Sequence, residues 1–144
     1  MYYNKLKSSN KYKGNQGEKK AEKYLLKRGY LFVARNYWTS VGEIDLIFLK
    51  GFTLVFVEVK TRSNSLYGTG REDVDYKKRS SIKNAAKEFI STHCKNNKVP
   101  IYFWKILIHF KFLKIRYDVI EVGIKKKNYS DEYFIYDHLK SYFQ

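Results

Sequence analysis

The chain has 144 residues, 44% of them hydrophobic and 18% aromatic, enough for one domain with a single core and no staples. Lys and Arg number 29 against 14 Asp and Glu, a net charge of +15 that points to a polyanionic partner, nucleic acid before others. A lone cysteine (Cys94) excludes an internal disulfide, the polar start from Met1 to Lys13 is no secretory signal, and the apolar stretch from Val99 to Phe110 is broken by Lys105, so a cytoplasmic protein away from membranes is expected.

Residues 1–13 read as a flexible basic arm ahead of a single domain over residues 14–144. From Gly14 or Asn15 to Arg28 the pattern turns helical, with Glu18, Ala21, Tyr24 and Leu25 at three- and four-residue spacings and Gly29 as a stop. Residues 30–38 predict a strand, followed by a turn around Ser40-Val41-Gly42. Strands over 43–50 and 53–61 follow, joined as a hairpin by Lys50-Gly51-Phe52. After a loop containing Gly68 and Gly70, a helix is predicted from Val74 to about His93, its stripe formed by Ile82, Ala85, Ala86, Phe89 and Ile90; Pro100 bars any continuation.

Alternation over 106–113 favours a strand. Another is predicted over 117–124, and residues 133–143 read as a last strand running into a short helix. The order α-β-β-β-α-β, with strands apolar on both faces, predicts an α/β fold in which a mixed central sheet is flanked by helices. The apolar segment over 95–115 stands outside this scheme, as an extra strand or an interface.

Charges interrupt two of these apolar strands. Asp45 lies within Ile44-Asp45-Leu46-Ile47-Phe48-Leu49, and Glu58 and Lys60 end Leu54-Val55-Phe56-Val57-Glu58-Val59-Lys60. An ion inside such a strand costs several kcal/mol unless it is compensated. Side chains alternate along a strand, so Glu58 and Lys60 share one face. Two carboxylates and an amine meeting at one sheet end suit a divalent cation such as Mg²⁺ or Mn²⁺, which needs few protein ligands beside waters and a substrate phosphate. Asp45, Glu58 and the backbone carbonyl of Val59 are the candidate ligands; Lys60 would orient a metal-acidified water or meet charge developing on phosphate. The plain alternative is a strand-end salt bridge between Glu58 and Lys60, worth little. Glu43 shares the Asp45 face and reads equally as a ligand or as a solvated turn residue.

Other residues are less telling. Gly14 and Gly17 would let a strand or a phosphate approach the first helix. Lys77, Lys78 and Arg79 open the second helix and individually read as a solvated face. His93, His109 and His138 lack metal-ligand spacing, and no phosphate loop or dinucleotide fingerprint is present.

Taken together, Gly14-x-x-Gly17-Glu18-x-x-Ala21, Arg35-Asn36, Gly42-Glu43-Ile44-Asp45-Leu46-Ile47, Val55-Phe56-Val57-Glu58-Val59-Lys60-Thr61-Arg62, Tyr67-Gly68, Val74 with Lys78, and Arg116-Tyr117-Asp118-Val119-Ile120 resemble the bacterial YraN family, also called UPF0102. That family is grouped with the PD-(D/E)XK nucleases, near the archaeal Holliday-junction resolvases. The resemblance implies a restriction-endonuclease-like core, Mg²⁺ or Mn²⁺ dependence and phosphodiester hydrolysis. It makes Glu18 the helix carboxylate and a further metal ligand, Asp45 and Glu58 the metal ligands and Lys60 the catalytic lysine. Lys78, Arg35 and Arg62, with Lys77 and Arg79 beside them, would meet the nucleic-acid backbone. The expected function is a metal-dependent endonuclease acting on DNA rather than RNA, branched or single-stranded; a homodimer would suit incision of two strands. The alternative is the same fold binding nucleic acid without cutting it, and a weaker one an assembly protein using the aromatic stretch over 101–112.

Overall fold

The two apolar runs that carry Asp45 and Glu58 become neighbouring strands inside one sheet. In the computed structural model, backbone is described for residues 2–63 and 76–144, and side chains for residues 10–63 and 76–144. The elements are α1 (Tyr2–Leu26), β1 (Leu31–Thr39), β2 (Gly42–Lys50), β3 (Thr53–Ser63), α2 (Tyr76–His93), β4 (Lys98–Phe103), β5 (Ile106–Lys111), β6 (Lys114–Lys126) and β7 (Asp131–Phe143). Five strands form a mixed sheet in the order β1-β2-β3-β6-β7, parallel between β3 and β6 and antiparallel elsewhere. The expected α/β class and the three strands over 30–61 are observed within two residues of their predicted bounds. The loop with Gly68 and Gly70, and the start at Val74, lie outside the described residues.

Each face of the sheet is covered by one helix, which is why the central strands are apolar on both sides. Ala21 and Leu25 of α1 pack with Leu46, Phe48, Val55, Val57, Ile120 and Val122. On the opposite face, Ile82, Ala85, Ala86 and Phe89 of α2 pack with Ile47, Leu49, Leu54 and Phe56. No helix among the described residues is long and apolar enough to cross a bilayer.

Two expectations are corrected, and the extra strand expected within 95–115 is observed as two. Helix α1 begins at Tyr2, so residues 2–13 extend it rather than forming a separate arm; that stretch is rich in Lys and carries no Gly or Pro to stop a helix. Strand β7 continues to Phe143 without a terminal helix, because its pairing with β6 absorbs two register shifts and resumes at Tyr117–Phe143. Residues 98–111 form an antiparallel hairpin, β4 with β5, outside the main sheet.

Both helices reach the sheet at glycines. A Cβ on Gly17 would collide with the Thr61 hydroxyl of β3, and one on Gly42 with Ser81 of α2, whose Oγ donates to the Val41 carbonyl at 2.9 Å. Gly14, on the same helix as Gly17, faces open space. Gly17→Ala should therefore cost about 1–3 kcal/mol by overpacking, whereas Gly14→Ala should stabilise the chain by about 0.5–1 kcal/mol through helix propensity. Urea denaturation of the two variants checks this opposition in sign.

Candidate active site

Strands β2 and β3 do not pair along their whole length. Their ladder runs from Lys50–Thr53 to Leu46–Val57 and stops, while β2 goes on pairing with β1 to Gly42 and β3 with β6 to Ser63. A notch opens between them, and Asp45 and Glu58 stand at its mouth. The cause is visible in β1. Ala34 and Tyr37 both pack on the α2 side although three residues apart, as do their partners Ile47 and Ile44. The in-out alternation thus slips by one residue at Asn36, whose φ of 49° lies in the left-handed region, and at Asp45 opposite it. Asn tolerates that conformation better than most residues.

At the slip, the Asp45 side chain turns towards β3. Its Oδ2 accepts a hydrogen bond from the Val59 N–H at 2.7 Å, replacing the missing ladder bond. An extended residue directs its N–H and C=O to the same strand edge, so the Val59 carbonyl is aimed into the same notch.

Glu58 is buried, with 5% exposure, and lies between two lysines. Lys60 Nζ is 3.0 Å from its Oε1 and Lys78 Nζ is 3.4 Å from its Oε2. The second contact is an ion pair without a hydrogen bond; Lys78 also donates to Glu43 Oε1 at 3.2 Å. Oε2 is thus a buried oxygen with unused accepting capacity. Burial opposes the charge of Lys78, but Glu58, Glu43 and Asp45 outweigh it and hold the amine above its ordinary pKa.

Glu18 comes from α1 on the other side of the notch. With Lys11, Gly14, Asn15, Asn36, Trp38, Glu43 and Asp45 it lines an open cleft of about 540 Å³. Burial raises its carboxyl pKa, with Glu43 and Glu58 adding to the rise, while hydrogen bonding to Asn36 opposes it. Asp45 is pushed further, to about 7, first by burial, then by repulsion from Glu58, with Glu18 adding; the Val59 N–H and Lys78 only partly offset this.

The fold therefore brings Glu18, Glu43, Asp45, Glu58, Lys60 and Lys78 to one place. Arg35 lines the adjoining hollow with Glu18 and donates to Glu22 at 3.2 Å. Arg62 lines a separate groove of about 390 Å³ with Asn10, Lys13 and Thr61. Lys77 is exposed, and Arg79 lies over the Tyr142 ring, turned to β7 rather than to the carboxylates. Among the described residues, no three His, Cys, Asp or Glu side chains form a ligand cage. The donor set fits a different mode, in which Mg²⁺ or Mn²⁺ takes one or two carboxylates and leaves its other positions to water and phosphate. The unused Glu58 oxygen and the repulsion loaded on Asp45 favour such a cation.

Two buried acids escape the sequence reading. Glu121 is the register partner of Lys60 across β3 and β6. Asp118, 1% exposed, accepts from Arg116 twice at 2.8 Å, from His138 Nε2 at 2.9 Å and from the Ser141 N–H at 3.0 Å. Burial alone would raise its pKa; the hydrogen bonds from His138 and Arg116 reverse that and lower it. Arg116 also reaches the Tyr30 hydroxyl, so this cluster ties β6, β7 and the start of β1 together. Its Arg-Tyr-Asp motif is visible in the sequence, but nothing there marks it as structural.

The model of the family described as "Uncharacterised protein family UPF0102" matches residues 17–122. A UPF0102 protein of Alkaliphilus oremlandii is 38% identical over 120 residues, covering 83% of this chain and 92% of the relative. One from Dictyoglomus thermophilum is 39% identical over 118 residues (82% and 87%), and one from Clostridium tetani 38% over 130 residues (90% and 93%).

The raised pKa of Asp45 has a thermodynamic consequence. Its folded value, about 7, exceeds the unfolded value of 3.8, so the folded chain holds a proton that the unfolded chain has lost. Stability therefore falls as pH rises between these values. In EDTA, Asp45→Asn, which keeps the acceptor for Val59, should melt about 2–6 °C above the parent at pH 8. The gap should close towards pH 4, and thermal melts across that range test it.

Proposed function

The chain belongs to the UPF0102 family, and from that premise we propose that it is a metal-dependent endonuclease with a restriction-endonuclease-like core, hydrolysing phosphodiester bonds in DNA. The observation that carries this reading is the notch itself. Asp45 abandons strand alternation to bond the Val59 N–H and face Glu58, where burial and that second acid raise its pKa, an arrangement that folding alone does not require. Perturbed acids clustered in a cleft mark functional sites more often than structural ones.

Asp45, Glu58 and the Val59 carbonyl would hold Mg²⁺ or Mn²⁺, with Glu18 as a further ligand from α1. When bound, such a cation lowers the pKa of a water and offsets charge on a phosphate oxygen. The protein's own groups do the rest. Lys60, a quarter exposed and 3.0 Å from Glu58, has the reach to hydrogen-bond an attacking water or a non-bridging oxygen. Lys78, held protonated by three acids, would meet the phosphate while steadying Glu58. Arg35 and Arg62, each lining a hollow of its own, would take flanking phosphates, and the charge of +15 would gather the polymer by counterion release.

A competing reading, a non-catalytic nucleic-acid binder on this fold, draws on one observation: both Glu58 oxygens already face lysines. The two readings separate in one assay, in which labelled linear, single-stranded, flapped and four-way DNA are incubated with EDTA, Mg²⁺ or Mn²⁺. The nuclease reading expects product only with a divalent ion. Glu58→Gln and Lys60→Met should each lower the rate by on the order of 10²–10³-fold or more with DNA affinity in EDTA retained. Steady binding with no product under any metal would leave the binder.

A further inference from the structure

The β4–β5 hairpin is anchored at one end and unclaimed at the other. On one of its faces, Val99 and Ile101 are buried in the α2-side core with Phe110 packed against it. A two-stranded ribbon is marginal in water, and this anchoring holds it. Beyond Ile101 the same ribbon runs into solvent. Tyr102 is 72% exposed, Trp104 95% and Ile106 66%. Trp104 also sits at the turn with φ 57°, a left-handed conformation costing roughly 1–2 kcal/mol for a residue with a side chain and favouring Gly or Asn. Neither packing nor turn geometry accounts for the largest apolar side chain at this position.

Charge says what would cover it. From Phe89 to Tyr117 the chain has no Asp or Glu, and in and beside the hairpin it carries Lys95, Lys98, Lys105, Lys111 and Lys114. Lys105 follows Trp104 in the turn, and Lys98 and Lys111 are cross-strand partners. A second copy laid against this ribbon would set these ammonium groups against their own counterparts. A nucleic-acid strand offers the complement of both features, apolar base faces for the rings and phosphates for the lysines.

We infer that the tip of the β4–β5 hairpin is a stacking platform for unpaired nucleobases, with Trp104 as the principal ring and Tyr102 beside it. This rests on the nucleic-acid partner proposed above and deepens it: the preferred substrate has bases free of a duplex stack, as at single strands, flaps and junction openings. Platforms of this kind tolerate sequence and discriminate strand state.

The test is binding by the full chain in EDTA, where cleavage plays no part. The probes are a labelled single strand of about 20 nucleotides, longer than one site, with 2-aminopurine inside it, the matching blunt duplex, and anionic phosphatidylglycerol vesicles. The parent should bind the single strand more tightly than the duplex and quench 2-aminopurine. Trp104→Gly, which suits the turn and so keeps the fold, should lose about 5- to 100-fold in single-strand affinity, the effect of deleting one stacked base. Trp104→Phe should retain most of the affinity, and Tyr102→Ser should lose part of it. Single-strand affinity unchanged in Trp104→Gly would overturn the proposal, as would an effect confined to vesicles or to self-association. Failure of the parent to bind any nucleic acid would instead bring down the functional reading beneath it.

Discussion

A β-sheet is held by continuity of its backbone ladder, and here the ladder between β2 and β3 gives way at one pair, Leu46–Val57. The carboxylate of Asp45 takes over from the missing backbone acceptor by receiving the Val59 N–H. That one bond keeps the Val59 donor satisfied, holds the notch open, and commits an acid to lie beside Glu58. The arrangement of the site follows from it. Glu18 comes to the notch from α1 and Lys78 from α2.

Close approach of the helices completes the arrangement. Gly17 lets α1 settle on Thr61 of β3, next to Glu18, and Gly42 lets α2 settle against the start of β2, next to Glu43. Glycine at these positions reflects contact between elements rather than turn geometry. Each is adjacent in sequence to a carboxylate of the cleft, so tight packing and acid placement are joined.

Two aspartates in this chain, Asp118 buried and Asp45 half-buried, show opposite electrostatics. Asp118 has four hydrogen-bond donors and an arginine partner, and its pKa falls. Asp45 has one backbone donor and faces other acids, and its pKa rises to about 7. The first is a hydrogen-bonded structural charge that joins β6 to β7. The second is left under repulsion by its surroundings, which a cation would relieve. Local consistency fails at this site, as it tends to where function outweighs stability.

The sequence by itself determined the α/β class, the central strands and the helix stripe of α2, because hydrophobic periodicity is a local property of the chain. It also singled out Asp45, Glu58 and Lys60, since ions inside doubly apolar strands conflict with their surroundings whatever the tertiary fold. It misjudged residues 2–13 and the end of β7, where helix start and strand end depend on weak local signals and on register. Only the tertiary structure decided that Asn36 shifts the alternation opposite Asp45, that Lys78 rather than Lys77 or Arg79 reaches Glu58, and that Asp118 finds its partners in β7. These outcomes depend on the register between strands distant in sequence and on the angle at which a helix meets the sheet. No local pattern of residues encodes either.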